Sequence, residues 1–474
     1  MKPILTADQT RRAEEAYWAR HPGVDLMERA ADAVAAEAKR MLGDKAHAAD
    51  KPHAADKPLV VVAAGPGNNA GDALFAASQL DANVLVWAAA DKTHPGGLKA
   101  ALTAGAHLVS RAEAMDSLAD ASLVIDGVAG IGSRRGLMDT VEKFAAAARE
   151  HRVPVLSVDV PSGLAADRVS GGGAPSFVAA RTVTFISHKL CHLASPAAQS
   201  CGRVTLVDIG VRAEGADLWQ VEEQDLAEWY PWPTCESDKY SRGVVGFDTG
   251  SGRYPGAALL GAAGALFTGV GMVRQAGPDS VAERVVQRWP SIVPGEGRVQ
   301  CWVVGSGWPE ADLPRIGKRF AEGVPVVVDA GGLLALPSKL PDGSLLTPHA
   351  GELATLLGVT REQVDSDPVG HARTAADRYR STVLLKGATQ YVARPDGQVF
   401  LAVRGPAWTA QAGSGDVLAG ACGALMASGV PADRAALLAA SVQAIAASRF
   451  PGPRPPEWLA ERFALVIAEW ARAQ

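Results

Sequence analysis

The chain has few aromatic residues, few cysteines and no long apolar run, and each absence argues against a class of protein. Only 6% of the 474 residues are aromatic, and the five cysteines include no Cys-x-x-Cys pair, which argues against a structural zinc site and a disulfide framework. No run reaches 18 apolar residues, and the N-terminus lacks the apolar segment of a signal peptide. A net charge of −5, with no basic cluster longer than Arg134-Arg135, makes nucleic acids and anionic membranes poor partners. We therefore expect a cytoplasmic protein with reduced thiols that acts on small molecules.

Glycine and small aliphatic residues are abundant instead. The 50 glycines and 48% hydrophobic residues suit Ala/Gly-rich helices packed on Val/Leu strands, and at roughly 100 to 200 residues per domain this length predicts two or three domains. In the first half, helices are predicted over 7–19 and 26–41, and strands alternate with further helical stretches. Such near-continuous apolar strands predict a mainly parallel sheet covered on both faces. These strands span 59–64, 83–87, 122–125, 153–158, 182–186 and 204–207.

A Pro-punctuated segment, 229–233, marks a boundary between two halves. The second half restarts the α/β pattern, and no sequence repeat relates it to the first, so we expect two different domains. Its predicted strands are 243–247, 299–304, 324–328, 382–385 and 390–393, and its clearest helices are 257–268, 351–357 and 415–426.

One loop near the C-terminus has the composition of an anion-binding site. Residues 412–420 read AGSGDVLAG, a small-residue loop that opens directly into a helix. The backbone N–H groups of Gly413, Ser414 and Gly415 can point at a phosphate, whose charge the helix dipole favours. Because the carboxylate of Asp416 repels a phosphate, its natural role is to take a proton from a hydroxyl that attacks phosphorus. The alternative is an ordinary first-turn aspartate.

A second glycine-rich loop follows the first strong strand. Residues 65–73 read GPGNNAGDA and open a helix, so their backbone can approach a phosphate, and Asn68 and Asn69 can offer amide oxygens. The alternative is a plain turn capped by Asn69 or Asp72, but the loop is richer in such residues than capping needs.

Polar residues also follow two neighbouring strands of this half. Asp126 ends one strand, and VDVPSG at 158–163 ends the next, at the edge where α/β proteins bind ligands. Asp159 is a candidate acid or base. Oxygens from Asn69, Asp126 and Ser162 would suit a hard cation with little demand for charge.

These motifs, taken in order, resemble a known family. Residues 1 to about 215, from ILTADQTRRAEEA and DLMERAADAVA through GPGNNAGDA, VDVPSG and GRVTLVDIGV, resemble the NAD(P)H-hydrate epimerase domain. The remainder, from SDKYSRG through GRYPGAALL, LLTPHAGE, VLLKGA and AGSGDVLAG, resembles the ADP-dependent NAD(P)H-hydrate dehydratase domain. The order is that of the bifunctional NAD(P)H-hydrate repair enzymes. The resemblance implies a Rossmann-like, doubly wound epimerase domain over 1–216, a linker region over 217–236 and a ribokinase-like α/β dehydratase domain over 237–474.

The resemblance implies the repair of damaged cofactors. Hydrated NADH or NADPH has a hydroxyl at C6 of the nicotinamide ring in R and S forms, which the epimerase interconverts. The dehydratase transfers phosphate from ADP to the hydroxyl of the S form, and elimination of phosphate then regenerates NAD(P)H and leaves AMP. The expected partners are NAD(P)H-hydrate and ADP, the expected ions are Mg²⁺ with ADP and K⁺ in the epimerase domain, and we expect a homo-oligomer.

The resemblance also implies the site residues, with Asp416 and Asp159 as the catalytic ones. Contacts with ADP come from Lys386, Gly387, Ala388, Thr389, Gln390, Gly413, Ser414 and Gly415, and the dehydratase holds the hydrate with Ala257, Gly307, His349 and Asp416. The epimerase holds it with Asn68, Asn69, Ala70, Gly71, Asp72, Gly127, Val128, Ala129, Gly130, Ile131, Gly132, Ser133 and Asp159, and potassium with Asn69, Asp126 and Ser162.

The chain departs from the family pattern in both halves. Ala70 and Ala73 replace two glycines, and alanine at a positive φ would cost about 1 kcal/mol. Asp329 is followed by AGGLL, which lacks the usual Asn, and Ala412 replaces the first glycine of the anion loop. Two alternatives stay open: the second half as a small-molecule kinase that releases a phosphate ester, and the first half as a non-catalytic ligand-sensing or dimerising module.

Overall fold

The computed structural model describes residues 1–48, 57–132, 136–169, 173–337 and 339–472. By its contacts the chain divides into two compact units, one of Pro3–Ala216 and one of Asp217–Gln474 together with Met1–Lys2. None of the helices in the described part of the chain is both long and apolar enough to cross a bilayer.

The N-terminal unit contains a seven-stranded parallel sheet. After the short first strand β1 (Lys2–Ile4), its strands are β2 (Leu59–Ala64), β3 (Asn83–Ala88), β4 (His107–Val109), β5 (Leu123–Gly127), β6 (Val155–Val158), β7 (Arg181–Phe185) and β8 (Arg203–Val207). Their order is β4-β3-β2-β5-β6-β7-β8, and every neighbouring pair is parallel. The winding direction reverses between β2 and β5, which opens a crevice at their carboxyl ends.

Helices cover this sheet because its strands are apolar on both faces. They are α1 (Ala7–Arg20), α2 (Leu26–Ala48), α3 (Asn68–Ala77), α4 (Pro95–Thr103), α5 (Arg111–Asp116), α6 (Asp139–Glu150) and α7 (Leu190–Leu193). One core contains Val34, Val60 and Leu74, and a second contains Val61, Val124 and Phe144. Since consecutive strand residues face opposite sides, Val60 and Val61 contribute to different cores. The predicted doubly wound parallel sheet is confirmed.

The C-terminal unit repeats this winding in a larger sheet. Its strands are β9 (Leu218–Gln220), β10 (Val244–Asp248), β11 (Met272–Gln275), β12 (Val293–Pro294), β13 (Cys301–Val304), β14 (Val326–Val328), β15 (Leu345–Leu346), β16 (Thr382–Leu385), β17 (Tyr391–Ala393) and β18 (Val399–Leu401). They follow the order β9-β18-β17-β16-β15-β14-β13-β10-β11-β12, and only β17 is antiparallel to its neighbours. The winding reverses between β10 and β13. The α/β prediction is therefore confirmed for this half as well.

Eleven helices accompany these strands in the described residues. They are α8 (Glu223–Trp229), α9 (Gly256–Thr268), α10 (Asp279–Arg288), α11 (Leu313–Ala321), α12 (Ala350–Leu357), α13 (Arg361–Ser366), α14 (Pro368–Tyr379), α15 (Ser414–Ala427), α16 (Ala432–Arg449), α17 (Pro456–Ala460) and α18 (Phe463–Arg472).

The segment 217–236, predicted as a linker region, is largely folded onto the C-terminal unit. Its strand β9 pairs with β18, and Val221 and Leu226 lie in the core of that unit. The segment folds because its strand can pair with the edge of this sheet and its apolar side chains can be buried in this core. A free linker would leave both exposed to water.

Helices α9 and α15 approach each other at backbone distance. A methyl group added at Gly420 would collide with the carbonyl oxygen of Gly261, and one added at Gly264 would collide with that of Val417. The small residues of both helices therefore fix the depth at which α15 lies against α9.

Candidate active sites

A cavity of about 710 Å³ opens at the carboxyl ends of β2, β5 and β6. Arg11 and Glu14 of α1 line it, together with residues from the loops after these strands, and so does Asp159. The cavity therefore lies at the predicted edge of the sheet, beside the reversal between β2 and β5. Loop residues that line it are Gly67, Asn68, Asn69, Asp72, Val128, Ala129, Gly130, Ile131 and Gly132, while Ser133 lies outside the described residues.

Asp159 is held by a buried cation that the sequence did not single out. Its carboxylate accepts hydrogen bonds from the Thr184 hydroxyl at 2.8 Å and from Lys189 Nζ at 2.7 Å. Lys189 is only 1% exposed, and its Nζ also bonds the Phe185 carbonyl at 3.0 Å. Burial alone would raise the pKa of Asp159, but the Lys189 charge and these hydrogen bonds hold it below the ordinary value. Asp159 is therefore ionised at neutral pH.

His192 fixes the backbone of this carboxylate. Its Nδ1 accepts the N–H of Lys189 at 3.1 Å, and its Nε2 lies 2.8 Å from the Asp159 carbonyl oxygen, to which it donates as a neutral ring. Burial, followed by the Lys189 charge, lowers the pKa of His192 to about 3. Asp159 itself has a φ of 63°, a left-handed conformation that aspartate tolerates better than most residues.

Two buried cysteines lie beside His192, which their spacing in the sequence did not indicate. The ligand atoms of Cys191, His192 and Cys201 lie within 4.8 Å of one another. Both ring nitrogens of His192 already have hydrogen-bond partners, and burial raises the pKa of Cys191 well above the ordinary thiol value. The cluster therefore forms part of the packed support of Asp159, with both thiols free.

Asp126 and Ser162 lie in direct contact, close to Asn69. Asp126 is fully buried and accepts four hydrogen bonds, from Ser162 Oγ at 2.5 Å, Ser162 N at 2.8 Å, Ser157 Oγ at 2.9 Å and Val128 N at 3.3 Å. The Asn69 amide donates to the Val158 carbonyl at 2.6 Å. Burial raises the pKa of Asp126 in spite of these donors. The three predicted potassium ligands thus lie at adjacent strand ends, already bonded to protein groups.

The two alanines that depart from the family pattern cause no backbone strain. Ala70 and Ala73 lie inside α3, and neither has a positive φ. Both are fully buried in the core, and neither lines the cavity. Gly127 is the position where space is short, since a methyl group there would lie 2.6 Å from Ala73 Cβ. The expected backbone strain is therefore absent.

The second candidate site lies at the first turn of α15, beyond the carboxyl ends of β13, β14 and β16. Gly413 caps this helix with a φ of 92°, a conformation that favours glycine. The first N–H groups of a helix have no intrahelical acceptor. That of Ser414 bonds the Gln411 carbonyl at 3.2 Å, so Gly413 and Gly415 are the predicted donors that this turn can present to a ligand. A methyl group on Gly415 would lie 3.4 Å from Lys386 Nζ, which brings that ammonium to the same turn.

Lys386 and Asp329 form the charged floor of this site. Lys386 Nζ lies 2.5 Å from Asp329 Oδ1, and the Ser306 and Thr347 hydroxyls donate to Asp329 at 2.9 and 2.8 Å. Burial alone would lower the pKa of Lys386, but Asp329, Glu352 and Asp416 raise it above the ordinary value. The lysine therefore stays charged beside the anion-binding turn.

Asp416 differs from an ordinary first-turn aspartate in its pKa. Burial, reinforced by the negative charge of Asp329, raises its pKa to about 6, although Lys386 and a hydrogen bond from Ser306 act in the opposite direction. A carboxylate with this pKa is ionised at pH 7 and is a stronger base than a free aspartate, as a general base requires.

The predicted contacts of the hydrate are partly brought together. Gly307 has a φ of 73°, and a methyl group there would lie 2.7 Å from Ala257 Cβ, so these two residues are adjacent. His349 caps α12 by accepting the Glu352 N–H at 3.1 Å, and its side chain is 60% exposed. In the loop 386–390, no residue in the described part of the chain donates a hydrogen bond to the buried Oε1 of Gln390.

Both halves of the chain match known family models. Residues 245–462 match the family model of NAD(P)H-hydrate dehydratase, and residues 23–191 match that of the YjeF-related protein N-terminus. The ADP/ATP-dependent NAD(P)H-hydrate dehydratase from Bacillus subtilis, crystallised with ATP and Mg²⁺, has a TM-score of 0.49 at 24% identity and covers 52% of this chain and 97% of that one.

Full-length relatives match both units at once. The chain is 39% identical over 456 residues to the bifunctional NAD(P)H-hydrate repair enzyme Nnr of Mycobacterium tuberculosis, a match that covers 92% of this chain and 91% of the relative. It is 39% identical over 475 residues to Nnr of Mycobacterium leprae, with 96% of each covered. This chain therefore belongs to the family of bifunctional NAD(P)H-hydrate repair enzymes.

Proposed function

We propose that this chain repairs hydrated NADH and NADPH, with epimerisation in residues 1–216 and ADP-dependent dehydration of the S form in residues 237–474. The observation that best supports dehydration is Asp416, a carboxylate with a pKa of about 6 in the same helical turn as the anion-binding N–H groups. A phosphate and a base at one turn are what transfer to a hydroxyl requires.

In the dehydration step, Asp416 takes the proton of the hydrate hydroxyl, and the hydroxyl oxygen attacks the terminal phosphorus of ADP. The N–H groups of Gly413 and Gly415 and the Lys386 ammonium balance the charge on the transferred phosphoryl group. AMP leaves. The phosphate then leaves the carbinol carbon while the neighbouring ring carbon loses a proton, which restores the double bond of NAD(P)H.

Magnesium enters this scheme with the nucleotide. The Asp329 carboxylate already accepts from Lys386, Ser306 and Thr347, so it is bonded as a structural group and is not an open metal ligand. Magnesium would instead arrive with ADP and supply positive charge that neutralises its phosphates.

In the epimerase unit we propose that the cavity holds the hydrate and that Asp159, kept ionised by Lys189, is the base. We also propose a potassium site in this unit. Asn69, Asp126 and Ser162 would hold it through oxygens, which suit a hard cation. A carboxylate has about four lone-pair positions, and four protein donors already occupy those of Asp126. A cation at Asp126 would therefore have to share its oxygens with these donors.

One assay tests the dehydratase against its nearest alternative. Purified S hydrate is incubated with the full chain and ADP or ATP, and the products are followed by the near-ultraviolet absorbance of NADH and by mass spectrometry. Release of NADH together with AMP from ADP, or with ADP from ATP, supports repair. Accumulation of a stable phosphate ester without NADH would show a kinase instead.

A second assay tests the epimerase against a non-catalytic module. Purified R hydrate is supplied without nucleotide, and appearance of the S form is compared with the spontaneous rate. Inversion no faster than without protein would refute the first half of the proposal. A cytoplasmic location and a homo-oligomeric state also remain proposals, and size-exclusion chromatography with light scattering measures the latter.

A further inference from the structure

Three carboxylates line the N-terminal cavity, and they differ in how they are bonded. Asp159 accepts from Thr184 and Lys189. Asp72, in the first half of α3, is only 7% exposed, and none of the described residues donates a hydrogen bond to it. Glu14 reaches the same cavity from α1. A buried carboxylate without donors is costly to ionise, so Asp72 calls for an explanation.

The surroundings of these groups shift their pKa values in opposite directions. Burial raises the pKa of Asp72 well above its ordinary value, and the negative charges of Asp159, Glu14 and Asp25 add to the rise. Burial, followed by the charge of Asp159, also raises the pKa of Glu14, against the effect of Lys189 and Arg11. Asp159 is ionised beside Lys189. One cavity thus contains a proton donor and a proton acceptor, the arrangement that acid–base catalysis uses.

We propose that Asp72 is a second catalytic residue of the epimerase, a general acid that works on the hydrate hydroxyl with Asp159 as the partner base. The inference rests on the proposed epimerase activity and adds the chemistry by which inversion occurs.

The hydrate itself dictates what two such groups can do. The carbon that bears the hydroxyl is bonded to the ring nitrogen, so the hydroxyl can leave if it is protonated, because the nitrogen lone pair forms an iminium ion. Asp72 donates its proton, the C–O bond breaks, and water leaves. Water then adds to the opposite face of the iminium carbon and gives its proton to Asp159. The electrons return to nitrogen, no oxidant is needed, and proton exchange with solvent resets both carboxylates.

Oxygen exchange tests this route directly. The full chain inverts R hydrate in water enriched in oxygen-18, without nucleotide, and mass spectrometry follows the label in the S product. We expect one labelled oxygen per inversion, after subtraction of the spontaneous rate. Inversion that retains the original oxygen would overturn the proposal while leaving the epimerase assignment intact. Absence of any catalysed inversion would overturn both.

Substitution of the acid provides the second readout. Asp72→Asn should slow inversion by about 100-fold or more, while dehydration of the S form by the C-terminal unit stays at the wild-type rate. Circular dichroism and urea unfolding of the same variant report whether the N-terminal unit is folded. An Asp72→Asn variant that inverts within about threefold of wild type would refute the acid role.

A charge variant separates catalysis from packing. Glu14→Gln removes one negative charge that faces Asp72, so Asp72 should lose its proton at a lower pH, and the alkaline limb of the pH–rate profile should move down with it. Glu15→Gln, on the exposed side of the same helix, is the matched control and should leave the profile unchanged. An alkaline limb that does not move in Glu14→Gln would contradict Asp72 as the group that must be protonated.

Discussion

Replacing Asp416 by Asn should abolish dehydration and at the same time stabilise the protein. The pKa of Asp416 rises from 3.8 to about 6 in the folded chain, which corresponds to roughly 3 kcal/mol of unfavourable free energy when the group is ionised. Since Asn is neutral and nearly isosteric, the variant should recover part of this amount, up to about 3 kcal/mol. A lost general base costs about 10²- to 10⁴-fold in turnover.

The sign of the pH dependence follows from the raised pKa. Below about pH 4, Asp416 is protonated in both the folded and the unfolded chain, so wild type and variant should have similar stability. As pH rises through about 6, the folded wild type must ionise a half-buried group and loses stability, whereas Asp416→Asn does not. The stability gap should therefore open between about pH 4 and pH 7. Wild-type turnover should fall about tenfold per pH unit below about 6, because the base becomes protonated.

Thermal unfolding of both proteins at about pH 5 and about pH 8, without nucleotide, measures the gap. Asp433→Asn is the control, because Asp433 also lies in the first turn of a helix, α16, where it pairs with Arg394 at 3.8 Å. That substitution should be neutral or slightly destabilising through the helix dipole. A less stable Asp416→Asn at pH 8, or a gap that does not depend on pH, would refute the reasoning.

Three further predictions concern the two units. Lys189→Met should leave the Asp159 carboxylate buried without its cation, lower the free energy of unfolding by about 3 to 5 kcal/mol and abolish inversion of the R hydrate, as followed by urea unfolding and chromatography. Gly420→Ala should destabilise by about 1 to 3 kcal/mol, whereas Gly317→Ala, a helix position with open space around it, should stabilise by up to about 1 kcal/mol. Inversion should be faster in potassium than in sodium, and Ser162→Ala should remove that difference; equal rates in both salts would refute the potassium site.

Local patterns predicted much of the fold. The strands Leu59–Ala64 and Thr382–Leu385 have the predicted bounds, because each is an apolar run that ends where polar or glycine residues begin. The anion-binding turn was also visible, since its glycines and Asp416 are adjacent in the chain. Where neighbours in sequence are neighbours in space, the residue types alone identify the element.

Features that depend on distant residues could not be predicted in this way. Lys189 follows a strand, where a lysine usually extends to solvent, and only the folded chain shows it beside Asp159, thirty residues earlier. In the sequence, Asp72 is one residue of a glycine-rich loop. Only the folded chain shows that its carboxylate is buried and that no described residue donates a hydrogen bond to it. The strands Val293–Pro294 and Leu345–Leu346 are too short for any periodicity. Their pairing depends on the sheet that surrounds them.

The close contact between α9 and α15 limits how the dehydratase can respond to its nucleotide. Because backbone meets backbone at Gly261 and Gly420, α15 cannot slide along its axis without a collision, and the turn at its N-terminus stays at one height above the sheet. The phosphates of a diphosphate or a triphosphate donor therefore bind to a turn whose position is fixed. Any discrimination between a diphosphate and a triphosphate donor has to arise in the loops around this turn, such as residues 386–390 and 407–412.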